Sequence, residues 1–308
     1  MNRNAINRVL KRKHEDFLQS IDDEMVRNCI KNHSIITGGS IASMLLGETI
    51  NDFDYYLTDK DSVELVAKYY VDKFNLLHPD IDRQPSVRVD GDRVKIWVQS
   101  AGSVSENGDD GYQYFESLPD EAGMEYVDRM LSIGDETEDH LDSIDSSSSK
   151  YRPVFLSANA ITLSDKVQIV IRFYGEPDAI HRNYDFAHCC NYWVAKTGEL
   201  VLNPKAMESL LSKNLQYQGS LYPVCSVIRA RKFLSRGWFI NAGQYLKMCF
   251  QISELDLTNI EVLEEQLTGV DAAYFHQVIE YCKKRMSEDE NFKVTTPYLV
   301  TVIDRIFG

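Results

Sequence analysis

The sequence predicts an α+β fold: a mixed, mostly antiparallel sheet with helices on one face, followed by a C-terminal helical domain. Three observations predict it. Short apolar runs rich in β-branched and aromatic residues, bounded by turn residues, recur from Ile35 to Asn203. One pair of them, Ser86–Val89 and Arg93–Val98, alternates around Asp90-Gly91, a strong hairpin signal. Beyond Pro204 the pattern changes to apolar residues at helical spacing.

Taken in order, residues 5–32 read as one amphipathic helix on the recurrence of Ile6, Val9, Leu10, Phe17, Leu18, Ile21, Met25, Val26 and Ile30. Its cluster Arg8, Lys11, Arg12 and Lys13 reads as a solvated face or as a contact for RNA or triphosphate. Ile35-Ile36 makes a buried strand, Ser40–Leu46 a short helix closed by Gly47, and Asn51–Leu57 a second strand. A helix over 61–78 precedes the hairpin. Strands follow at 153–156, 160–163, 167–173 and 189–194, and the turn Thr197-Gly198 leads into Glu199–Asn203. Helices are expected over 223–239, 241–252, 258–267, 271–286 and 296–307. This divides the chain into an N-terminal helix (1–33), a sheet domain (34–203) and a helical part (204–308).

Residues 101–150 interrupt the sheet domain. Between Val104 and Ser149 there are 14 acidic residues and one basic, Arg129, so this segment carries −13 of the net −14. Its composition suits a solubilising loop, or an acidic decoy for a basic cleft. The remainder is close to neutral, so the global charge does not veto a nucleic-acid partner.

The stretch GGSIASMLLGETINDFD, Gly38 to Asp54, concentrates the chemistry. Gly38 and Gly39 at a strand-to-helix turn admit close approach of a ligand. The free amides of the helix start, with the Ser40 hydroxyl, offer donors to a polyphosphate. Asp52 and Asp54, two apart on a strand, share a face while Phe53 turns inward. Such a pair of carboxylates can hold one or two Mg²⁺ ions together with phosphate oxygens.

This stretch resembles the head signature of the DNA polymerase β superfamily of nucleotidyltransferases, in the form seen in CCA-adding enzymes and bacterial poly(A) polymerases. GGSIASMLLG and DFD fall at that spacing, with Ala42-Ser43 where those enzymes carry an Arg-Asp pair. Arg182-Asn183-Tyr184-Asp185-Phe186 is similar to their second arginine-rich segment, with Asn183 and Tyr184 at the arginine positions. Pro223–Phe239 is similar to their neck helix through Arg229, Ala230, Lys232, Phe233 and Gly237, whereas Tyr222, Pro223 and Ser226 stand in place of the templating residues. The resemblance implies catalytic Asp52, Asp54 and Asp185, metal ligation by Asp52 and Asp54, and nucleotide contacts from Gly38, Gly39, Ser40, Arg182, Arg229 and Lys232. Asp185 reads equally as a residue that orders a turn. The implied reaction is Mg²⁺-dependent transfer of a nucleoside monophosphate from an NTP to a hydroxyl acceptor, with an RNA (tRNA-like) 3′ end expected. Modification of a protein or small molecule, and nucleotide or partner binding without catalysis, are the alternatives.

Six cysteines without a C-x-x-C pair point to reduced thiols, and the charged N-terminus has no apolar block behind it. A cytoplasmic protein without membrane association is expected.

Overall fold

The computed structural model describes residues 1–79, 84–97, 150–157, 159–267, 273–289 and 292–307. The acidic segment 101–149 lies outside them. Described residues up to Ser212 form one compact unit and those from Lys213 a second.

The first unit is built on a seven-stranded sheet. Its strands are β1 (Ser34–Thr37), β2 (Phe53–Leu57), β5 (Pro153–Leu156), β6 (Ala160–Leu163), β7 (Val167–Val170), β8 (Tyr192–Val194) and β9 (Glu199–Val201). The order is β5-β6-β7-β2-β1-β8-β9, antiparallel throughout except for the parallel pair β2–β7. The expected hairpin forms as β3 (Ser86–Asp90) and β4 (Arg93–Trp97), but as a separate two-stranded sheet.

One face of the large sheet packs against helices. The single helix expected over 5–32 is two: α1 (Arg3–Gln19) and α2 (Glu24–His33). The break has a local cause, because Asp23 is an N-cap whose carboxylate accepts the Met25 and Val26 amides at 2.7 and 3.0 Å. Ile6, Leu10, His14 and Phe17 of α1 fall on its buried stripe. Ile6, Leu10 and Phe17 join Val63, Val66, Ala67, Tyr70 and Phe74 of α4 (Lys60–Leu77) and Phe53, Tyr55 and Leu57 of β2 in the main core, with His14 stacked on Tyr55. Alternation along β2 therefore sends its odd-numbered residues inward and Asp54 and Tyr56 to the opposite face.

The basic cluster of α1 resolves into two kinds of residue. Arg8, Lys11 and Arg12 are exposed, and Lys11 pairs with Glu15 at 3.9 Å. Lys13 donates instead to the Asp165 carbonyl and lies over the rings of Phe53 and Tyr151. It braces the β6–β7 turn.

On the other sheet face sits α5 (Pro177–His181), whose Ile180 packs with Ile35 and Tyr56. The expected strand 189–194 is shorter. Ala187–Cys189 form a 3-10 turn, and β8 begins at Tyr192. After α6 (Pro204–Ser212), the second unit contains α7 (Pro223–Ser235), α8 (Ala242–Ser253), α9 (Ile260–Leu267), α10 (Ala273–Glu288) and α11 (Thr296–Phe307). A small core of Leu263, Ile279, Cys282, Val294, Leu299 and Val302 holds its C-terminal helices. Among the described residues no helix is long and apolar enough to cross a membrane.

Candidate functional site

The site is built where β1 ends. Gly38 has φ 94° and ψ −149°, a region reached by glycine alone. A Cβ at this position would lie 2.7 Å from Asp54 Oδ2 and 3.6 Å from the Tyr184 hydroxyl. The missing side chain is what lets the Asp54 carboxylate close onto the turn. Directly after it α3 (Gly39–Leu46) begins with no side-chain cap, so the first-turn amides of Gly39, Ser40 and Ile41 have no intrahelical acceptor. The Ser40 side chain is 2% exposed, and its hydroxyl meets no hydrogen-bond partner among the described residues. An anion at this helix start would satisfy both the amides and the buried hydroxyl.

The carboxylates come from β2, held in place by register. Asp54 is directly opposite Thr37 on one side and Gln168 of β7 on the other. Burial pushes the Asp54 carboxyl well above the ordinary carboxylate range, and the charge of Asp52 adds to the rise. Two carboxylates that repel each other beside an uncapped helix start form an oxygen donor set suited to a hard divalent cation. Among the described residues no group of three or more His, Cys, Asp or Glu side chains could hold a metal by itself. A cation held here would take its remaining ligands from phosphate and water.

A second set of side chains fixes the turn. The Thr37 hydroxyl donates to the Asn191 carbonyl at 2.8 Å and lies 2.8 Å from His181 Nε2, while the Gly38 amide donates to the Cys189 carbonyl at 3.2 Å. Burial lowers the His181 pKa to about 4, so the ring is neutral near pH 7 and Nε2–H can donate to Thr37. The rings of His181 and Tyr184 are 5.2 Å apart, and those of Tyr184 and Tyr56 are 6.0 Å apart. Tyr184 and Tyr56 share a hydrogen bond between their hydroxyls. Burial first, then Tyr56 and Asp54, raise the Tyr184 pKa well above that of an ordinary phenol.

Of the residues singled out in the sequence, Gly38, Gly39, Ser40, Asp52 and Asp54 come together. Asp185 is buried in the bend after Tyr184 rather than on the strand beside β2, where Gln168 occupies the place opposite Asp54. Arg182 is exposed at the end of α5. Arg229 and Lys232 lie on α7 in the second unit, with Lys232 exposed. Residues not anticipated are Tyr56, Tyr184, His181 and Gln168. Tyr56 could have been found from alternation alone, two positions after Asp54. The others required the pairing of β7 and the placement of α5.

Comparison with curated proteins gives no match. Among solved structures, the chain is similar to the Thermotoga maritima CCA-adding enzyme complexed with tRNA-CCA, at TM-score 0.38 and 11% identity, covering 88% of this chain and 52% of that one. It is also similar to the Bacillus stearothermophilus CCA-adding enzyme in complex with CTP, at TM-score 0.36 and 10% identity, covering 80% of this chain and 47% of the other. The chain thus spans about half the length of these structures. A family profile matches residues 8–213, which include the whole β1–α3–β2 site and the strands around it. The chain belongs to the Gabija anti-defense 2 family.

Proposed function

We propose that the chain acts against Gabija defence as a divalent-metal-dependent nucleotidyltransferase, moving a nucleoside monophosphate from an NTP onto a hydroxyl of a Gabija component. The observation that carries this reading is the meeting at Gly38 of the Asp54 carboxylate with an uncapped helix start whose buried Ser40 hydroxyl has no hydrogen-bond partner among the described residues. Carboxylates and anion-seeking amides this close are complementary to a polyphosphate that arrives with its cation.

In this reading the amides of Gly39, Ser40 and Ile41 and the Ser40 hydroxyl hold the terminal phosphates, which become the leaving pyrophosphate. Asp52 and Asp54, through a cation they would hold, would set the α-phosphate for in-line attack by the acceptor oxygen. That divalent cation would offset phosphate charge and make the acceptor hydroxyl easier to deprotonate. The protein's contribution is positioning and electrostatics. The hydroxyl oxygen forms a bond to the α-phosphorus, the bond from that phosphorus to the β-phosphate bridging oxygen breaks, and the hydroxyl proton is lost to solvent.

The family's name directs the acceptor toward the defence system. An RNA 3′ end is the second reading, favoured by the exposed cations Arg231 and Lys232 on α7 and Arg236 at its C-cap. The test incubates each α-labelled NTP and Mg²⁺ with purified Gabija components or with total tRNA, comparing wild type with the Asp52→Ala, Asp54→Ala double variant. Label on a Gabija component that disappears with the variant supports the proposal. Label on tRNA selects the second reading. No label on either, with anti-defence action retained by the double variant, overturns catalysis at this site.

A further inference from the structure

The side chains around Asp54 include one that neither the metal pair nor the phosphate turn explains. Tyr184 lies in the segment 182–186, which crosses the sheet face carrying Asp54 and Tyr56, and its hydroxyl points at the bare side of Gly38. Its ring is fixed from two directions, by His181 and by Tyr56. His181 is anchored in turn to Thr37, the residue opposite Asp54, so the phenol is set with the same rigid parts that set the turn.

We propose that Tyr184 is a substrate-contacting residue of this site, its hydroxyl donating a hydrogen bond to a polyphosphate oxygen of the nucleotide held at the start of α3. Tyr56 supports it. A phenol has one proton and two lone pairs and rotates to suit its partners: without ligand Tyr184 donates to Tyr56, and with a phosphate present it can turn its proton there while Tyr56 donates to Tyr184. Two hydroxyls in series polarise each other, which makes the terminal O–H the better donor. A neutral phenol serves here where a cation would compete with the metal for Asp54, and it adds no charge to a site already governed by the Asp52 and Asp54 repulsion.

This inference rests on the nucleotide reading given above, and its test separates the two. Equilibrium binding of each of the four NTPs, and of inorganic tripolyphosphate, is measured with Mg²⁺ for wild type, Tyr184→Phe and Tyr56→Phe. Both substitutions keep the ring and remove one oxygen. Loss of a hydrogen bond to a charged group is expected to weaken binding about tenfold or more in Tyr184→Phe, equally for NTP and for tripolyphosphate. Tyr56→Phe should weaken it by a smaller factor, on the order of threefold, since Tyr184 remains. Melting without ligand should be near that of wild type.

Unchanged affinity in Tyr184→Phe overturns the proposal while the nucleotide reading stands. A loss confined to NTP, sparing tripolyphosphate, overturns the polyphosphate contact. Wild-type protein that binds neither ligand overturns both readings. If Tyr184→Phe also melts early, Tyr56→Phe decides, and unchanged affinity there is refutation.

Discussion

Adjacent glycines in this chain should respond to the same substitution in opposite ways. Gly38→Ala forces an L side chain into a backbone region that costs on the order of 1–3 kcal/mol. It also places a Cβ 2.7 Å from Asp54 Oδ2, closer than real Cβ contacts, so the carboxylate must shift away from the turn. Gly39 has a backbone open to any residue and nothing within 4 Å of its Cβ position. At the first position of α3, alanine in its place should be neutral or stabilising by up to about 1 kcal/mol. Urea unfolding of the two variants should therefore differ by roughly 1–4 kcal/mol, with Gly38→Ala the less stable. Nucleotide transfer should separate them further, because a misplacement near 1 Å costs on the order of 100-fold in rate. Equal stability of the two variants, or full transfer by Gly38→Ala, would refute the claim that the bare glycine positions Asp54.

Other outcomes follow from the same geometry. Asp54→Asn should abolish transfer, by about 1000-fold or more, yet leave the fold at least as stable, because a buried and repelled carboxylate becomes a neutral amide; activity and a urea melt read both. Removing divalent cation with EDTA should stop transfer with no change in the circular dichroism spectrum, since strand register alone holds Asp54 in place. Burial lowers the pKa of His14 and of His188 from 6.5 to about 4, as it does for His181. The unfolded chain takes up these protons first, so stability is complete above pH 6.5 and falls as the pH drops toward 4, by roughly 3 kcal/mol for each fully coupled histidine. Urea melts from pH 7 to pH 4 should show this slope, and His14→Phe should flatten it. Phe17→Ala should cost about 3–5 kcal/mol in the same assay, since Phe17 is fully buried with its ring 5.0 Å from Tyr55 and 5.3 Å from Tyr151.

What the sequence made legible was whatever chemistry imposes locally. The alternation of β2 placed Asp54 and Phe53 on opposite faces, and the two glycines marked both the β1–α3 turn and the close approach it allows. The glycine and aspartate spacing also marked the residues that meet at one corner, Gly38 and Asp54. The break between α1 and α2 was missed because apolar spacing happens to continue across it, and the capping power of Asp23 outweighs that periodicity. The β6–β7 turn was equally silent. Asp165 and Lys166 adopt φ 60° and 58° without a glycine or asparagine, held by the Lys13 contact to the Asp165 carbonyl. Tyr184 and Gln168 were invisible as site residues because nothing in their own neighbourhood states which strand β7 will join. The family itself was not legible in the motif, since a site signature describes chemistry and not the role it serves.

The parallel pairing of β2 with β7 has a consequence for how the protein forms. β1, α3 and β2 follow one another closely and can assemble as a local unit, bringing Gly38 and Asp54 together early. The strand that seats Gln168 beside Asp54 arrives only after the chain has passed through α4, the β3–β4 hairpin and the acidic segment. That closure is slow, being non-local, but its entropic cost rises only logarithmically with the length of chain between, about 0.6 kcal/mol per doubling. The sheet can thus host a long insertion at this crossing with little thermodynamic cost. Length and composition there can change while the β1–α3–β2 corner folds as before.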